Sequence, residues 1–493
     1  MGHPRGMVAA GHPLTAQVGA DVLSDGGNAV DAALAALLTS WAAEPLLTGP
    51  GAGGYMLVAG AGEQPTLLDF FVAAPGLGRA DGASGELVPI TVSFGDAAQM
   101  FHVGAASCGT YGCPAGVAQA HARWGSVPLA QLAAPAATHA RVGVPLNAIQ
   151  SYVGELLDSI LDFTETTALR FAPGGVRLGE GDLFRDAELG DTIERLGAEG
   201  ADAFYRGDIA TAVRAYLDPL GGLLTRDDLD SYAAVARTPA TVIYRGRTVL
   251  TNPPPSAGGT LLALALGRLD ATAGPPSVTE IVDVMADVQG CRDDAFIDGL
   301  DEDGFLDRFL AANLGATTHI SVLDSEGRAC SVTTTNGEGS GLVVPGTGIH
   351  LNNMMGEEDL NPRGFFAYPA GRRMPSMMAP TVVVGSDGVE LVVGSAGSNR
   401  IRSAILQTIV GVVDHGLGAE AAVDAPRVHF EDGVVYAEPG IDVAALESSG
   451  RQVQPFRERN LFFGGTQAVE RDPRSGALSG AGDPRRGGAA VAA

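Results

Sequence analysis

Residues 315–335 read GATTHISVLDSEGRACSVTTT. Two β-rich runs flank the turn-forming Asp324-Ser325-Glu326-Gly327, so the stretch predicts an antiparallel hairpin. Five threonines bracket it: Thr317, Thr318, Thr333, Thr334 and Thr335. With the turn centred between Ser325 and Glu326, Thr317 lies opposite Thr334 with Thr335 adjacent, give or take one register step. Cross-strand threonine pairs by themselves form a stabilising ladder. The other reading of Thr317 is a nucleophile that becomes reactive once the chain is cut in front of it.

Working outward, residues 15–43 read as helical with an interruption at Gly26-Gly27, and Asn28 is an N-cap for the Ala- and Leu-rich run that ends before Pro45. The Gly-rich EPLLTGPGAGGYMLV (44–58) leads into a strand; it lacks the Gly-Lys-Ser/Thr ending of a phosphate loop. Residues 115–300 read as mainly helical, with a Thr-capped helix in LLTRDDLDSY (223–232) and a rigid turn in NPPPSAGGT (252–260). Further hairpins are expected in PTVVVGSDGVELVVGS (380–395) and VHFEDGVVYAEP (428–439), with a helix over 401–416 between them. Helices first and strands later suggest a layered α+β fold.

The chain has 493 residues, 45% of them hydrophobic, and a formal net charge of −26. Such acidity excludes a general nucleic-acid binder and an anionic-membrane binder, because both need Lys and Arg. Cys108 and Cys113 are close in sequence, but with only His102 nearby no metal-ligand set forms, and the four cysteines make no disulfide framework. No metal and no cofactor are expected. The N-terminus lacks a signal-peptide pattern and AALAALLTSWAA (32–43) is too short to span a bilayer, so a cytoplasmic location is expected.

The sequence resembles the γ-glutamyltranspeptidase family of N-terminal nucleophile hydrolases. The resemblance runs through GHPLTAQVGADVLSDGGNAVDAALAA (11–36), EPLLTGPGAGGYML (44–57), NPPPSAGG (252–259), TTHISV (317–322), SGLVVPGTGIHLNN (340–353) and the closing GGTQAV and GAGDPR. It implies a four-layer αββα sandwich and a precursor cut between Ala316 and Thr317. Residues 1–316 would be the large subunit and 317–493 the small one, together forming one composite catalytic domain. The partners it implies are a small-molecule substrate and the chain's own two pieces as a heterodimer, with higher oligomers left open.

The freed α-amine of Thr317, with a reference pKa of about 7.7–8.0, would act as the built-in base. Thr335 matches the family's second threonine, which orients the nucleophile. In GSAGSNR (394–400), Gly397 and Ser398 match the oxyanion-site residues, with Ser398 in place of a second glycine. The family's carboxylate-binding arginine falls on Phe71 in LLDFFVAAP (67–75), and its amine-binding acid on Glu357. Its serine pair becomes Ser376 and Met377, and Asn336 takes the role of its asparagine. Arg372, Arg373 and Arg400 are the candidate replacements for the missing cation. Three functions follow: a γ-glutamyl transferase or glutathione-type hydrolase; another acyl hydrolase or C–C hydrolase of natural-product (4-alkylproline-type) biosynthesis on the same scaffold; and an unprocessed ligand-binding homologue.

Overall fold

The computed structural model describes residues 4–80, 84–93, 98–290, 317–361 and 363–493. Two antiparallel sheets dominate it. The larger runs, in spatial order, through Ala489–Ala492, Gly6–Ala10, Thr318–Asp324, Arg328–Thr335, Gly53–Gly60, Thr66–Phe70 and Val235–Arg237. The smaller runs through Leu478–Gly482, Gly465–Arg471, Gly388–Ala396, Thr381–Gly385, Arg247–Thr251 and Ala240–Tyr244. The quoted hairpin is thus the centre of the larger sheet, flanked by strands from both ends of the chain.

Three expectations need correction. The strands are not confined to the second half: besides the expected Gly53–Gly60, Gly6–Ala10 and Thr66–Phe70 come before residue 115, and the mainly helical stretch contributes Val235–Arg237, Ala240–Tyr244 and Arg247–Thr251. The hairpin register is one step off, with Thr318, not Thr317, opposite Thr334. The turn is wider than a simple two-residue loop. Gly327 has φ +82°, and Asp324 Oδ1 accepts from the backbone N–H groups of Glu326 (3.0 Å) and Arg328 (2.9 Å). Continued by one residue, the observed register sets Thr317 opposite Thr335.

Alternation along the central strands divides their side chains between two cores. Ile320, Val322, Cys330 and Val332 pack with the helices Pro13–Ser24 and Ala29–Ala43. Leu323 and Ala329 pack with Val383, Leu391 and Val393 of the smaller sheet, whose core also includes residues of the helices Ala257–Asp270 and Arg400–Val413. Asn28 caps Ala29–Ala43 in a capping box with Asp31, and Thr225 caps Arg226–Ser231 with Asp228, as the sequence leads one to expect.

A polar seam ties the two sheets. His319 contacts Thr333 Oγ1 through Nδ1 (2.8 Å) and Ser321 Oγ through Nε2 (3.0 Å). Ser321 and Ser331 donate to the carbonyls of Gln467 (3.0 Å) and Val393 (3.3 Å) across the gap. Burial pulls the His319 pKa down to about 3, so the ring is neutral. Gly394 leaves room for it: a Cβ there would stand 2.2 Å from the ring. Gly394→Ala is therefore expected to destabilise the fold by about 1–3 kcal/mol through overpacking. A chemical-denaturation midpoint equal to that of the unsubstituted protein would count against this close fit.

Candidate active site

Thr317 is fully buried and directly precedes the strand Thr318–Asp324. Successive side chains on a strand point to opposite faces. Thr318 points to the helical side, where its hydroxyl donates to Glu44 Oε2 at 2.6 Å. Thr334 does the same and meets Thr48 Oγ1 at 2.9 Å. Thr317 and Thr335 are left to the other side. There they line one small cleft, together with Ser376. Phe71, Met354, Leu360, Met377, Met378 and Ile401 complete its wall. Thr335 Oγ1 also accepts from the Gly337 N–H at 2.8 Å, which fixes the turn that follows.

Five residues singled out in the sequence thus meet in one cleft: Thr317, Thr335, Phe71, Ser376 and Met377. Gly258 and Gly259 of the NPPPSAGG motif make the Ser376–Met378 wall possible. A Cβ at Gly258 would lie 1.9 Å from the Met377 carbonyl oxygen, and one at Gly259 would lie 2.2 Å from that of Asn252. Ser256 Oγ donates to the Ser376 carbonyl (2.8 Å) and the Gly258 N–H donates to the same oxygen (3.1 Å).

Asn336, Glu357, Gly397 and Ser398 do not line that cleft. Asn336 begins the turn after Thr335; its side-chain amide is buried with no hydrogen-bond partner among the described residues. Glu357 reaches the same turn, since a Cβ at Gly337 would meet its Oε1 at 2.0 Å and Asn353 Oδ1 at 2.1 Å. Gly397 and Ser398 sit at the entry to the helix Arg400–Val413, both with positive φ (+115° and +64°). For Ser398 that conformation is uncommon. Its hydroxyl and the amide of Asn399 are buried with no partner among the described residues. Asn353 and Asn399 lie inside the quoted motifs SGLVVPGTGIHLNN and GSAGSNR, but the sequence assigns neither a role.

Phe71 occupies a rigid corner. Its ring stacks on Tyr55 at 5.5 Å, its N–H donates to Asp69 Oδ1 (3.0 Å), and its carbonyl accepts from Tyr232 and Arg373, both at 2.6 Å. Arg373 also donates to the Ala233 carbonyl (2.8 Å) and pairs with the buried Asp69 (3.3 Å). Its guanidinium is committed to the backbone behind Phe71 and to Asp69. Arg400 holds the Phe462 carbonyl at 2.9 Å, and Arg372 lies 4.5 Å over the Tyr368 ring. Cys108, Cys113 and Cys330 are buried free thiols; no group of residues fit to hold a metal ion occurs among the described residues.

Glu44, bonded to Thr318, is a residue that the sequence did not flag. Its carboxyl is buried and accepts from Thr318 and Thr15, and burial pushes its pKa up to about 7.

Comparison with known proteins follows the whole chain. A family profile described as Gamma-glutamyltranspeptidase matches residues 15–296 and 304–493. A glutathione hydrolase proenzyme of Bacillus subtilis (strain 168) is 29% identical, over 99% of this chain and 91% of the relative. The acylase ACY 1 proenzyme of Pseudomonas sp. (strain SE83) is 30% identical, over 99% and 93%. The crystal structure of cephalosporin acylase from Bacillus halodurans superposes with a TM-score of 0.84 at 27% identity, covering 99% of this chain and 96% of that one.

The buried Glu44 gives a pH signature with a definite sign. A carboxyl raised from 4.5 to about 7 on folding favours the folded state fully below pH 4.5, and that advantage is lost as pH rises through 7. Glu44→Gln removes the titration. The variant should gain on the parent protein by up to about 3 kcal/mol between those limits. Denaturant titrations of both proteins across this range check it; a stability gap that does not change with pH would show that Glu44 is not held neutral.

Proposed function

The chain belongs to the γ-glutamyltranspeptidase family and is an enzyme of the hydrolase/transferase type; from that premise we propose that it is a self-processing acyl hydrolase or transferase whose nucleophile is Thr317. The observation that carries this reading is the meeting of Thr317 and Thr335 in one cleft at the end of the central hairpin. The relatives named proenzyme support a precursor. Its cut would fall between Ala316, which lies outside the described residues, and Thr317. Pieces 1–316 and 317–493 would stay together as a heterodimer, because strands from both alternate in the larger sheet. We read the two face-packed sheets with their helices as the four-layer αββα sandwich of N-terminal nucleophile hydrolases.

In processing, Thr317 Oγ attacks the Ala316 carbonyl, the peptide C–N bond breaks to leave an ester and the free α-amine of Thr317, and water hydrolyses the ester to release the Ala316 carboxylate and restore the Thr317 hydroxyl. That amine then takes the proton of the Thr317 hydroxyl as the oxygen attacks the substrate's acyl carbon. The backbone N–H groups of Gly397 and Ser398 face the oxyanion, Thr335 orients the nucleophile, and the leaving group departs with the proton. Water or an amine then resolves the acyl-enzyme.

Phe71 and the methionine wall favour a second reading of specificity over γ-glutamyl transfer: a small-molecule substrate with an apolar acyl group, or one cleaved at a C–C bond. The family's arginine is replaced by a stacked ring, and Arg373 is committed elsewhere. Asn336 and Glu357 would then contact polar atoms at the mouth of the cleft.

Intact-mass measurement of the purified protein should show two chains, residues 1–316 and 317–493. Thr317→Ala should give one uncut, inactive chain, while Thr317→Ser keeps slow processing. A single full-length species from the parent protein after prolonged incubation defeats the reading. Glutathione and γ-glutamyl anilides should be poor substrates. One charge-assisted contact is worth roughly 1.5–3 kcal/mol, so its loss lowers kcat/KM about tenfold to hundredfold. Phe71→Arg should restore part of that; efficient γ-glutamyl turnover by the parent protein would contradict the altered pocket.

A further inference from the structure

The strand that follows Thr317 is unevenly supported along its length. Thr318–Asp324 pairs with Arg328–Thr335 from Thr318 onward, but its other neighbour, Gly6–Ala10, reaches only as far as Ile320, opposite Ala10. Past Ala10 that neighbouring chain turns away into the helix Pro13–Ser24. Among the described residues, Thr318 and His319 therefore have a paired strand on one side alone. Glu44 stands where the second pairing stops. A Cβ at Gly11 would lie 2.4 Å from Glu44 Oε2 and 3.0 Å from Thr318 Oγ1, so carboxyl and hydroxyl meet against the residue that follows Ala10.

Glu44 is itself firmly held. It caps the C-terminal end of the helix Ala29–Ala43, its N–H donates to the Ser40 carbonyl at 2.7 Å, and its side chain is buried. Its Oε1 accepts from Thr15 Oγ1 at 3.2 Å, and its Oε2 accepts from Thr318 at 2.6 Å. Gly11, Thr15 and Glu44 all precede the proposed cut, and Thr318 follows it. The Glu44–Thr318 bond thus crosses between the two pieces, one residue from the new chain end. While the chain is whole, covalent continuity limits how far Thr317 can move. Once it is cut, Thr317 is a chain terminus, and termini fray unless they are tied down. A frayed Thr317 would carry its hydroxyl and its α-amine out of the cleft together.

We propose that Glu44 is a positioning residue for Thr317: after the cut, its hydrogen bond to Thr318 clamps the first residues of the small subunit and so keeps the nucleophile in the cleft. The proposal rests on the reading of Thr317 as a nucleophile freed by cleavage. Glu44 acts through Thr318 and touches no reacting atom, and its clamp matters in the cut enzyme rather than in the precursor.

Hydrogen exchange in the peptide 317–323, read by mass spectrometry on the whole protein, tests it. The parent and Glu44→Ala should both be cut, and exchange at the start of the strand should be about tenfold to hundredfold faster in cut Glu44→Ala. Glu44→Gln, whose side-chain amide still offers an oxygen to the Thr318 hydroxyl, should exchange like the parent. In the uncut Thr317→Ala background, adding Glu44→Ala should leave the exchange of this segment unchanged. Thr318→Val removes the bond from its other end, should reproduce the Glu44→Ala result, and keeps the test decisive if Glu44→Ala does not fold. Unchanged exchange in the cut variants overturns the proposal. So do equal acceleration in the uncut background, no rescue by Glu44→Gln, or failure of a folded Glu44→Ala protein to be cut. A parent protein that stays uncut sinks the Thr317 reading and the clamp with it, whereas a cut parent with a negative exchange result sinks the clamp alone.

Discussion

Neighbouring side chains on an extended strand cannot share a face, and the site depends on that constraint at one peptide. Thr318 is held on the helical side by Glu44, and the same bond fixes Thr317 toward the smaller sheet. The partner strand obeys the same rule, with Thr334 toward Thr48 and Thr335 into the cleft. The buried hydroxyl pair is thus set by backbone geometry and by two hydrogen bonds on the opposite face. A one-residue slip would send Thr317 to Glu44 and empty the cleft of hydroxyls. The seam of His319, Ser321, Ser331 and Thr333 opposes such a slip, because His319 meets Thr333, and Ser321 and Ser331 meet the Gln467 and Val393 carbonyls, at fixed places on the facing strands.

Local signals were legible in the sequence and non-local ones were not. The hairpin, the Asn28 and Thr225 caps and the Asp-Gly turn at Asp432-Gly433 depend on residues a few positions apart, and all appear where their patterns place them. Gly6–Ala10 and Ala489–Ala492 read GMVAA and AAVA, which carry almost none of the β-branched enrichment that marks a strand; they become strands because Gly6–Ala10 pairs with Thr318–Asp324 on one side and with Ala489–Ala492 on the other. The register error came from the turn, where left-handed Gly327 and the Asp324 carboxylate widen the loop by one position. At the site, the hydroxyls and Phe71 were readable through motifs. The commitment of Arg373 was not, because Asp69 and Ala233 are far from it in sequence. Glu44 opens the quoted stretch EPLLTGPGAGGYML, but nothing local marks its carboxyl as buried.

The distribution of charge around the hairpin separates chemistry from recognition. The cleft that holds Thr317 is walled by a ring, three methionines and two aliphatic residues, with hydroxyls as its polar groups. Such a wall excludes water and offers an anionic group no partner. The cations close by serve structure: Arg373 closes the corner behind Phe71, and Arg400 holds the Phe462 carbonyl.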